Sequence, residues 1–370
     1  MAGETLERAQ RQLRLFAAMD TEHSPLYGHL AERAAEDVEI AGLLTAASPE
    51  FATATLLFAA VQRALHAHPV HPLTSYYPTM GGSSGVDGGT WPLFRSFVLE
   101  HAEEIRTLIA TRTVQTNEVR RAALVYPAVA LAAARARGPI GVLEVGCSAG
   151  LLLNLDRYGY RYQTAAGQLI AGPAKPVVGL HCALELADGA TLPAVPKKLP
   201  VRARVGLDRQ PVDLSDEEQY AWLEACVWAD QPERLRLLGA AAAAARRDPP
   251  ELVAGDAIAD LAAVAERIPA ELPLVVLTSL TTLYLDRERQ LAFLAALGEL
   301  AVHRTVYWVS HEDYRTALAH VLPGRADLRP GRDEQSFGVL GLVSWADGQA
   351  HGVALARTAW HGQRMTWLAG

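Results

Sequence analysis

The chain has few cysteines and no long hydrophobic segment, and both features restrict what it can be. Its 370 residues include three cysteines, Cys147, Cys182 and Cys226, which are widely spaced and form no Cys-x-x-Cys pair. This argues against a disulfide framework and a zinc cluster, and it predicts a cytoplasmic location. No apolar run reaches the roughly 18 residues that span a bilayer, and residues 1–16 lack the apolar core of a signal peptide. We therefore expect no membrane partner.

Concentrated positive charge is also absent. The sequence has 34 lysine and arginine residues against 41 acidic residues, a formal net charge of −7, and no long basic run. Nucleic-acid binding normally needs a basic surface that replaces the counterions of the phosphate backbone. We therefore expect no nucleic-acid partner, and a small-molecule substrate fits the composition better. Half of the residues are hydrophobic, as in an ordinary globular protein with a sizeable core.

Hydrophobic periodicity divides the chain into two regions. Up to about residue 138, apolar residues recur at intervals of three and four, which predicts a helical domain over 1–138 that could close over a site as a lid. From residue 139, short apolar runs alternate with helical segments, the pattern of a mostly parallel sheet. We predict an α/β domain over 139–370 with an insertion at about 160–200, where a hairpin could lie beside the sheet.

Individual elements follow from the same patterns. Apolar runs predict strands at 140–145, 201–207, 251–254, 274–277 and 305–309, and an antiparallel pair at 338–345 and 352–358 around an Asp347-Gly348 turn. Helices are expected over 149–158, 215–228, 233–247 and 287–300.

The most informative stretch is the strand Ile140 to Val145 and the small residues after it. The strand carries one acid, Glu144, near its carboxyl end, and Gly146-Cys147-Ser148-Ala149-Gly150 follows directly. Small residues let a ligand approach the backbone, and the first N–H groups of a helix have no partner within the helix. In open α/β sheets ligands bind beyond the carboxyl ends of the strands. The stretch therefore predicts a ligand site.

Two chemistries fit these residues. The five small residues match G-x-S-x-G, the nucleophile elbow of α/β-hydrolases, in which Ser148 would attack an acyl carbon with Asp256 and His311 as candidate partners. The pattern Glu144-x-Gly146-x-x-x-Gly150 also resembles motif I of the class I S-adenosylmethionine-dependent methyltransferases. Two observations favour the second interpretation. The motif follows the first predicted strand, and a buried carboxylate such as that of Glu144 costs several kcal/mol unless it is paired or faces a ligand.

The resemblance implies a Rossmann-like methyltransferase sheet, mostly parallel with an antiparallel C-terminal pair, and S-adenosyl-L-methionine as cofactor. It implies that Glu144 faces the amino-acid end of the cofactor, that Asp208 accepts the ribose hydroxyls and that Asp256 reads the adenine amino group. By resemblance the cofactor-binding residues are Glu144, Gly146, Cys147, Ser148, Gly150, Asp208, Asp256, Ala257 and Thr278. The whole chain also resembles an uncharacterised bacterial domain-of-unknown-function family with such a core.

The sequence departs from the methyltransferase pattern in three places. Ser148 stands where the motif has a glycine, which is tolerable if its φ is negative. The stretch from Glu144 to Asp208 is longer than usual, and Thr278 to Tyr284 replaces the Asn-Pro-Pro-aromatic tetrapeptide of amino-methylating subfamilies. For Asp208 and Asp256 the alternative role is capping of the next helix.

Further polar residues complete the predicted site. Gln115, Asn117, Ser279 and Thr281 are candidate substrate-binding residues, although the first two could instead cap a helix. His311, Glu312 and Tyr284 are candidate catalytic residues, with the histidine as a general base oriented by the carboxylate. No metal is expected, because His66, His68 and His71 lack the i, i+4 spacing of a helical metal pair.

We hypothesise in-line methyl transfer to a small-molecule acceptor. The alternatives are a serine hydrolase that uses Ser148 and a non-catalytic cofactor-binding protein.

Overall fold

The structure is a computed structural model that describes residues 2–331 and 334–369. These residues form two compact units, each built from two segments of the chain. The first unit comprises the N-terminal residues up to Thr116 together with Ser215–Leu238, and the second comprises Asn117–Leu214 and the residues from Gly239 onward. This division differs from the boundary at residue 138, because the helix that precedes the first strand packs with the sheet, and a later helix within Ser215–Leu238 packs with the N-terminal helices.

The α-helices are numbered in chain order. They are α1 (Ala2–Asp20), α2 (Pro25–Glu36), α3 (Val38–Leu43), α4 (Ala54–His66), α5 (Thr90–Glu100), α6 (Ala102–Thr111), α7 (Arg121–Ala136), α8 (Glu217–Ala225), α9 (Pro232–Arg247), α10 (Leu261–Ala265) and α11 (Arg287–His303). None of the described helices is both long and apolar enough to cross a membrane.

The first unit is held together by an aromatic core. Phe58 on α4 stacks on Tyr27 with ring centroids 4.4 Å apart and meets the edges of Phe16 and Phe94 at 5.9 and 6.2 Å. Trp228, which follows α8, lies 5.3 Å from Phe16. Aromatic rings bury large areas and prefer such stacked and edge-on geometries. The contribution of Trp228 explains why residues near α8 belong to this unit, although they lie far away in sequence.

The second unit contains one sheet of eleven strands. The strands are β1 (Ile140–Val145), β2 (Gly159–Thr164), β3 (Gly167–Ala171), β4 (Gly179–Leu186), β5 (Val201–Asp208), β6 (Glu251–Ala254), β7 (Leu274–Ser279), β8 (Val306–Glu312), β9 (Gly338–Ala346), β10 (Gln349–Thr358) and β11 (Arg364–Trp367). Their spatial order is β3-β2-β4-β11-β10-β9-β8-β7-β1-β5-β6.

The central part of the sheet is parallel, which confirms the prediction of a mostly parallel sheet. Strands β6, β5, β1, β7 and β8 all run in the same direction, and β9 and β10 follow as an antiparallel pair. From β1 the chain order increases toward both sides, through β5 and β6 on one side and β7 and β8 on the other. In open α/β sheets ligands bind at the carboxyl ends of the strands where such a reversal occurs. Glu144 lies near the carboxyl end of β1.

The insertion belongs to the sheet. Strands β2 and β3 form an antiparallel hairpin, β4 pairs with β2, and the short β11 connects β4 to β10. The sequence patterns missed β3 and β11. The side chains of β3 are mostly exposed and β11 has only four residues, so neither gives an apolar run or a long alternation.

The predicted helix over 149–158 was wrong. In its place is a 3-10 helix, Leu152–Arg157, with Asn154 in a non-helical conformation. The leucines between residues 151 and 155 are buried without an exposed polar face. Side chains also take up backbone carbonyls of the segment, since Tyr158 donates to Leu151 at 2.7 Å and Arg204 donates to Leu153 at 3.0 Å. These bonds replace those that a regular helix would make.

Candidate ligand site at the carboxyl ends of the central strands

The residues Gly146 to Gly150, which we call the β1 loop, have an unusual backbone. Gly146, Ser148 and Gly150 have φ values of 75°, 48° and 64°. The N–H groups of Gly146 and Cys147 donate to the carbonyl of Leu207 on β5, at 2.8 and 3.4 Å. The loop therefore turns sharply and stays attached to the neighbouring strand.

Ser148 does not have the negative φ that the methyltransferase pattern required of a serine at this position. A left-handed conformation costs a non-glycine residue about 1–2 kcal/mol. Two contacts hold it there: the Ser148 N–H donates to the carboxylate of Asp208 at 2.8 Å, and the Ser148 hydroxyl accepts from the amide of Asn117 at 2.8 Å. Strained backbone of this kind concentrates at functional sites.

Protein packing accounts for the two glycines of the loop. A Cβ atom on Gly146 would lie 2.2 Å from the hydroxyl of Thr281, which itself donates to the carbonyl of Val145 at 3.1 Å. A Cβ atom on Gly150 would lie 2.7 Å from Leu252. Both positions require glycine because a side chain there would clash with neighbouring residues and because φ is positive. Neither glycine by itself therefore indicates a ligand. The side chain of Cys147, also in the β1 loop, is buried, and this burial raises the pKa of its thiol. Its sulfur fills the space beside Gly206.

Glu144 is the predicted residue with the clearest capacity to bind a ligand. Its side chain is 3% exposed, and the Leu153 N–H is hydrogen bonded to its carboxylate. Its Oε2 atom is buried and has no hydrogen-bond partner among the described residues. Burial above all, and then the nearby charge of Asp208, raise the pKa of Glu144 well above its ordinary value. A buried polar atom left without a partner costs about 1–3 kcal/mol, and a ligand with a hydrogen-bond donor would recover this cost.

Asp208 ends β5 beside the β1 loop. One carboxylate oxygen accepts the N–H of Ser148 and the other accepts the N–H of Gln210, both at 2.8 Å. A carboxylate has about four acceptor positions, so two remain for a ligand. The structure therefore brings Glu144, Asp208 and the β1 loop together at the ends of adjacent strands.

Asp256 and Ala257 lie in the turn after β6. The Asp256 carboxylate accepts the N–H groups of Ile258 and Ala259 at 3.0 and 3.1 Å and forms an ion pair with Arg289 on α11. The backbone hydrogen bonds, chiefly from Ile258, and the arginine hold the pKa of Asp256 below its usual value. Asp256 therefore holds the turn after β6; the helix cap that was its alternative role is not formed by this residue, because the residue before α10 is Asp260.

The polar residues at the end of β7 and in the turn after it mostly bond to the protein itself. Thr278 is fully buried and accepts the indole N–H of Trp308 at 3.1 Å. Glu312 at the end of β8 is buried and accepts the N–H groups of Thr281, at 3.0 Å to each oxygen, and of Thr282, at 3.3 Å. Burial raises the pKa of Glu312 to about 7 despite these bonds. Glu312 thus positions the turn that follows β7. Tyr284, which ends this turn, is 73% exposed.

His311 is placed unlike the general base of the hypothesis. It is fully buried, its Nδ1 atom hydrogen bonds with the hydroxyl of Ser279 and its Nε2 atom with the hydroxyl of Thr358, both at 3.0 Å. Burial, with a contribution from the charge of Arg121, lowers the pKa of His311 to about 3. The ring is therefore neutral and both nitrogens are occupied. The expected pairing with Glu312 is also replaced, because that carboxylate binds the turn after β7.

One family model matches the chain over residues 10–367, and its description is "Uncharacterized protein conserved in bacteria (DUF2332)". The chain belongs to the DUF2332 family. No curated protein and no solved structure is significantly similar to it.

The DUF2332 chain also brings residues before β1 to the site. The side-chain amide of Asn117 donates to the Ser148 hydroxyl, and its Oδ1 atom accepts the N–H of Ala149 at 3.3 Å. Arg121, at the start of α7, is buried, donates to the carbonyl of Trp360 at 3.1 Å, and its charge favours the ionised form of Glu144. Sequence reasoning missed Arg121, although a charged residue beginning an otherwise apolar helix was a visible signal.

The hydrolase interpretation requires a base beside Ser148. The Ser148 hydroxyl instead accepts from the amide of Asn117, and no histidine bonds to it within residues 2–331 and 334–369. Gln115 belongs to the first unit, where its backbone hydrogen bonds with Cys226.

The arrangement in this DUF2332 protein favours a particular class of ligand. Glu144 and Asp208 are close enough for the charge of one to oppose ionisation of the other. Two neighbouring carboxyl groups are stabilised in their charged forms by a cation or by several hydrogen-bond donors. The site is therefore suited to a ligand that carries positive charge and hydroxyl or amino groups.

Proposed function

We propose that the protein is an S-adenosylmethionine-dependent methyltransferase that acts on a small-molecule acceptor. The observation that carries this proposal is the buried Oε2 atom of Glu144, which lacks a partner among the described residues. The ammonium group at the amino-acid end of the cofactor would donate to this atom. Its positive charge would also favour ionised Glu144 beside Asp208.

The order of the parallel strands supports the proposal. Counted along the parallel set, the order β6-β5-β1-β7-β8 is third, second, first, fourth and fifth. This is the order of Rossmann-type sheets, which bind nucleotides where the order reverses. The remaining acceptor positions of Asp208 lie at the end of the second strand, where the ribose hydroxyls would bind. Between β1 and β5 the chain forms β2, β3 and β4 and a 3-10 helix, so this connection differs from a simple strand–helix–strand unit.

The chemistry would require positioning more than proton transfer. When bound, the cofactor would supply a methyl group on a positively charged sulfur for in-line transfer to the acceptor, the sulfur would leave as a neutral thioether, and a proton that the acceptor loses would pass to solvent. The chain's own contribution is to orient the acceptor and exclude water. Ser279 and Thr281 border the turn after β7, and the exposed Tyr284 offers a ring surface beside them. We propose these three residues as the acceptor side of the site.

Calorimetry with S-adenosylmethionine and its demethylated product tests the proposal. The wild type should bind both, and Glu144→Gln should bind each about 10- to 100-fold more weakly, because a hydrogen bond to a charged group contributes about 1.5–3 kcal/mol. Glu299→Gln, which removes an exposed carboxylate from α11, should bind like the wild type. Absence of binding by the folded wild type would overturn the proposal.

Proton release on binding gives a second readout in the same calorimetric experiment. Because the pKa of Glu144 is raised in the free protein, pairing with an ammonium group should lower that pKa and release a proton. The measured heat should therefore depend on the ionisation enthalpy of the buffer in the wild type and lose this dependence in Glu144→Gln. Binding without turnover on a panel of acceptors would favour the non-catalytic alternative. Fluorophosphonate labelling that is lost in Ser148→Ala would favour the hydrolase.

A further inference from the structure

A cluster of potential metal ligands lies in the first unit, apart from the residues discussed so far. It consists of His68, His101 and Glu104, whose ligand atoms all lie within 4.8 Å of one another. Two imidazoles and one carboxylate form a ligand set that suits Zn²⁺ and leaves a coordination position open. We propose that this His68–His101–Glu104 cluster binds Zn²⁺.

Two helices bring the ligands together. His101 is the residue before α6 and Glu104 follows three positions later, so both side chains lie on the same side of the first turn. His68 comes two residues after the end of α4, where its N–H donates to the carbonyl of Leu65 at 2.9 Å. The sequence expectation of no metal rested on spacing within the His66–His71 segment. The second histidine of the cluster comes instead from the residue between α5 and α6, more than thirty positions later.

The imidazole rings are held in place by ring packing. The rings of His68 and His101 lie with centroids 4.2 Å apart at 38°, and the buried ring of Phe97 lies 5.9 Å from the first and 4.4 Å from the second. His71 packs on the same phenylalanine at 4.9 Å, but its Nδ1 atom accepts the N–H of Leu73 at 3.1 Å. His71 thus has a role in the protein's own hydrogen bonding, whereas no hydrogen bond among residues 2–331 and 334–369 engages a ring nitrogen of His68 or His101.

The geometry can close around a metal with small movements. Zinc bonds of about 2.0–2.2 Å in a tetrahedral site place the ligand atoms about 3.3–3.6 Å apart. Glu104 is exposed, so its carboxylate can move the remaining ångström by changing rotamer. The two histidines are partly buried and already in contact.

Metal titration of the purified full chain, freed of any affinity tag and pretreated with a chelator, tests the proposal. We expect one equivalent of Zn²⁺ to bind in competition with a chromophoric chelator, and Co²⁺ to give the visible absorption of a low-coordinate site. His68→Ala and His101→Ala should each weaken Zn²⁺ binding at least about tenfold. Glu104→Gln should weaken it less, because a neutral amide oxygen is a poorer ligand than a carboxylate.

Controls separate this site from adventitious binding and from misfolding. Glu103→Gln removes a neighbouring exposed acid on the same helix, and His351→Ala removes an exposed histidine of the second unit; both should bind Zn²⁺ like the wild type. Zn²⁺ should raise the melting temperature of the wild type but not of His101→Gln, a variant that keeps a polar side chain. No stoichiometric binding, or equal affinity in the histidine variants and the wild type, would overturn the proposal whatever the outcome for S-adenosylmethionine.

Discussion

The replacement Glu312→Gln should remove one pH-dependent contribution to the stability of the second unit, namely a loss of stability as the pH rises. Glu312 is buried at the end of β8, where it accepts the N–H groups of Thr281 and Thr282. Glutamine has nearly the same shape and can still accept one of these bonds, but it cannot ionise. The variant therefore isolates the effect of charge at this position.

The magnitude follows from the pKa. Burial raises the pKa of Glu312 from an ordinary 4.5 to about 7 in the folded chain. Between these values the folded state holds the proton more tightly than the unfolded state, so the free energy of unfolding falls as the pH rises. The full cost is roughly 3 kcal/mol, since one pKa unit corresponds to about 1.4 kcal/mol. Between pH 5 and pH 8 the wild type should lose roughly 2–3 kcal/mol through this group, and Glu312→Gln should not.

Hydrogen exchange of peptides from β7 and β8, measured in increasing urea at pH 5, 6, 7 and 8, reports the stability of this part of the sheet. As the pH rises, the unfolding free energy of Glu312→Gln should increase relative to that of the wild type. Glu299→Gln on the surface of α11 serves as the control and should show no such trend. A difference that is constant across this range, or that moves in favour of the wild type, would refute the reasoning.

Three further predictions concern the same unit. Gly146→Ala should lower the unfolding free energy by at least about 2 kcal/mol in urea titrations, because its φ is 75° and the new Cβ atom would clash with Thr281, whereas Gly138→Ala meets no atom within 4 Å and should be tolerated. His311 is neutral in the folded chain with a pKa of about 3 against an ordinary 6.5, so the unfolded state gains protons first and this group alone should cost the wild type about 2 kcal/mol of unfolding free energy between pH 7 and pH 5, opposite in sign to the contribution of Glu312; the unfolding free energy of His311→Gln relative to the wild type should rise by this amount over the same interval, and a constant difference would argue against it. Asp208→Asn should weaken S-adenosylmethionine binding in calorimetry and cost about 1–3 kcal/mol of stability through the N–H of the β1 loop, and unchanged values for both would contradict the role given to this acid.

Buried strands were the most predictable part of the fold. The runs at 140–145 and 274–277 fall on β1 and β7, because strands covered on both faces are continuously apolar. The run at 201–207 also falls on β5, although that strand carries two arginines and is only partly buried. The segment after β1 was not predictable in this way. Its leucines suggested one face of a helix, whereas hydrogen bonds from Tyr158 and Arg204, one of them fifty residues away, hold it in another shape.

The approximate position of the site could be predicted from the sequence by a simple rule. The hydrogen-bond partners of its residues could not be predicted in this way. Polar residues at the ends of neighbouring parallel strands must lie close together, which placed Glu144 beside Asp208. The sequence alone does not show which N–H groups each carboxylate accepts, because those groups belong to turns that follow other strands of the sheet. The pairing of Glu312 with the backbone of Thr281, and of His311 with Thr358, therefore emerged only from the structure.

The position of β11 has a consequence for synthesis of the chain. Strands β3, β2 and β4 join the rest of the sheet only through β11, which pairs with β4 from Ala183 opposite Arg364 onward. About 180 residues must be translated between these two positions, which takes roughly 10–40 s at 5–20 residues per second. During that interval the growing chain carries a completed strand with an unpaired side, the kind of surface that attracts other strands and holding chaperones.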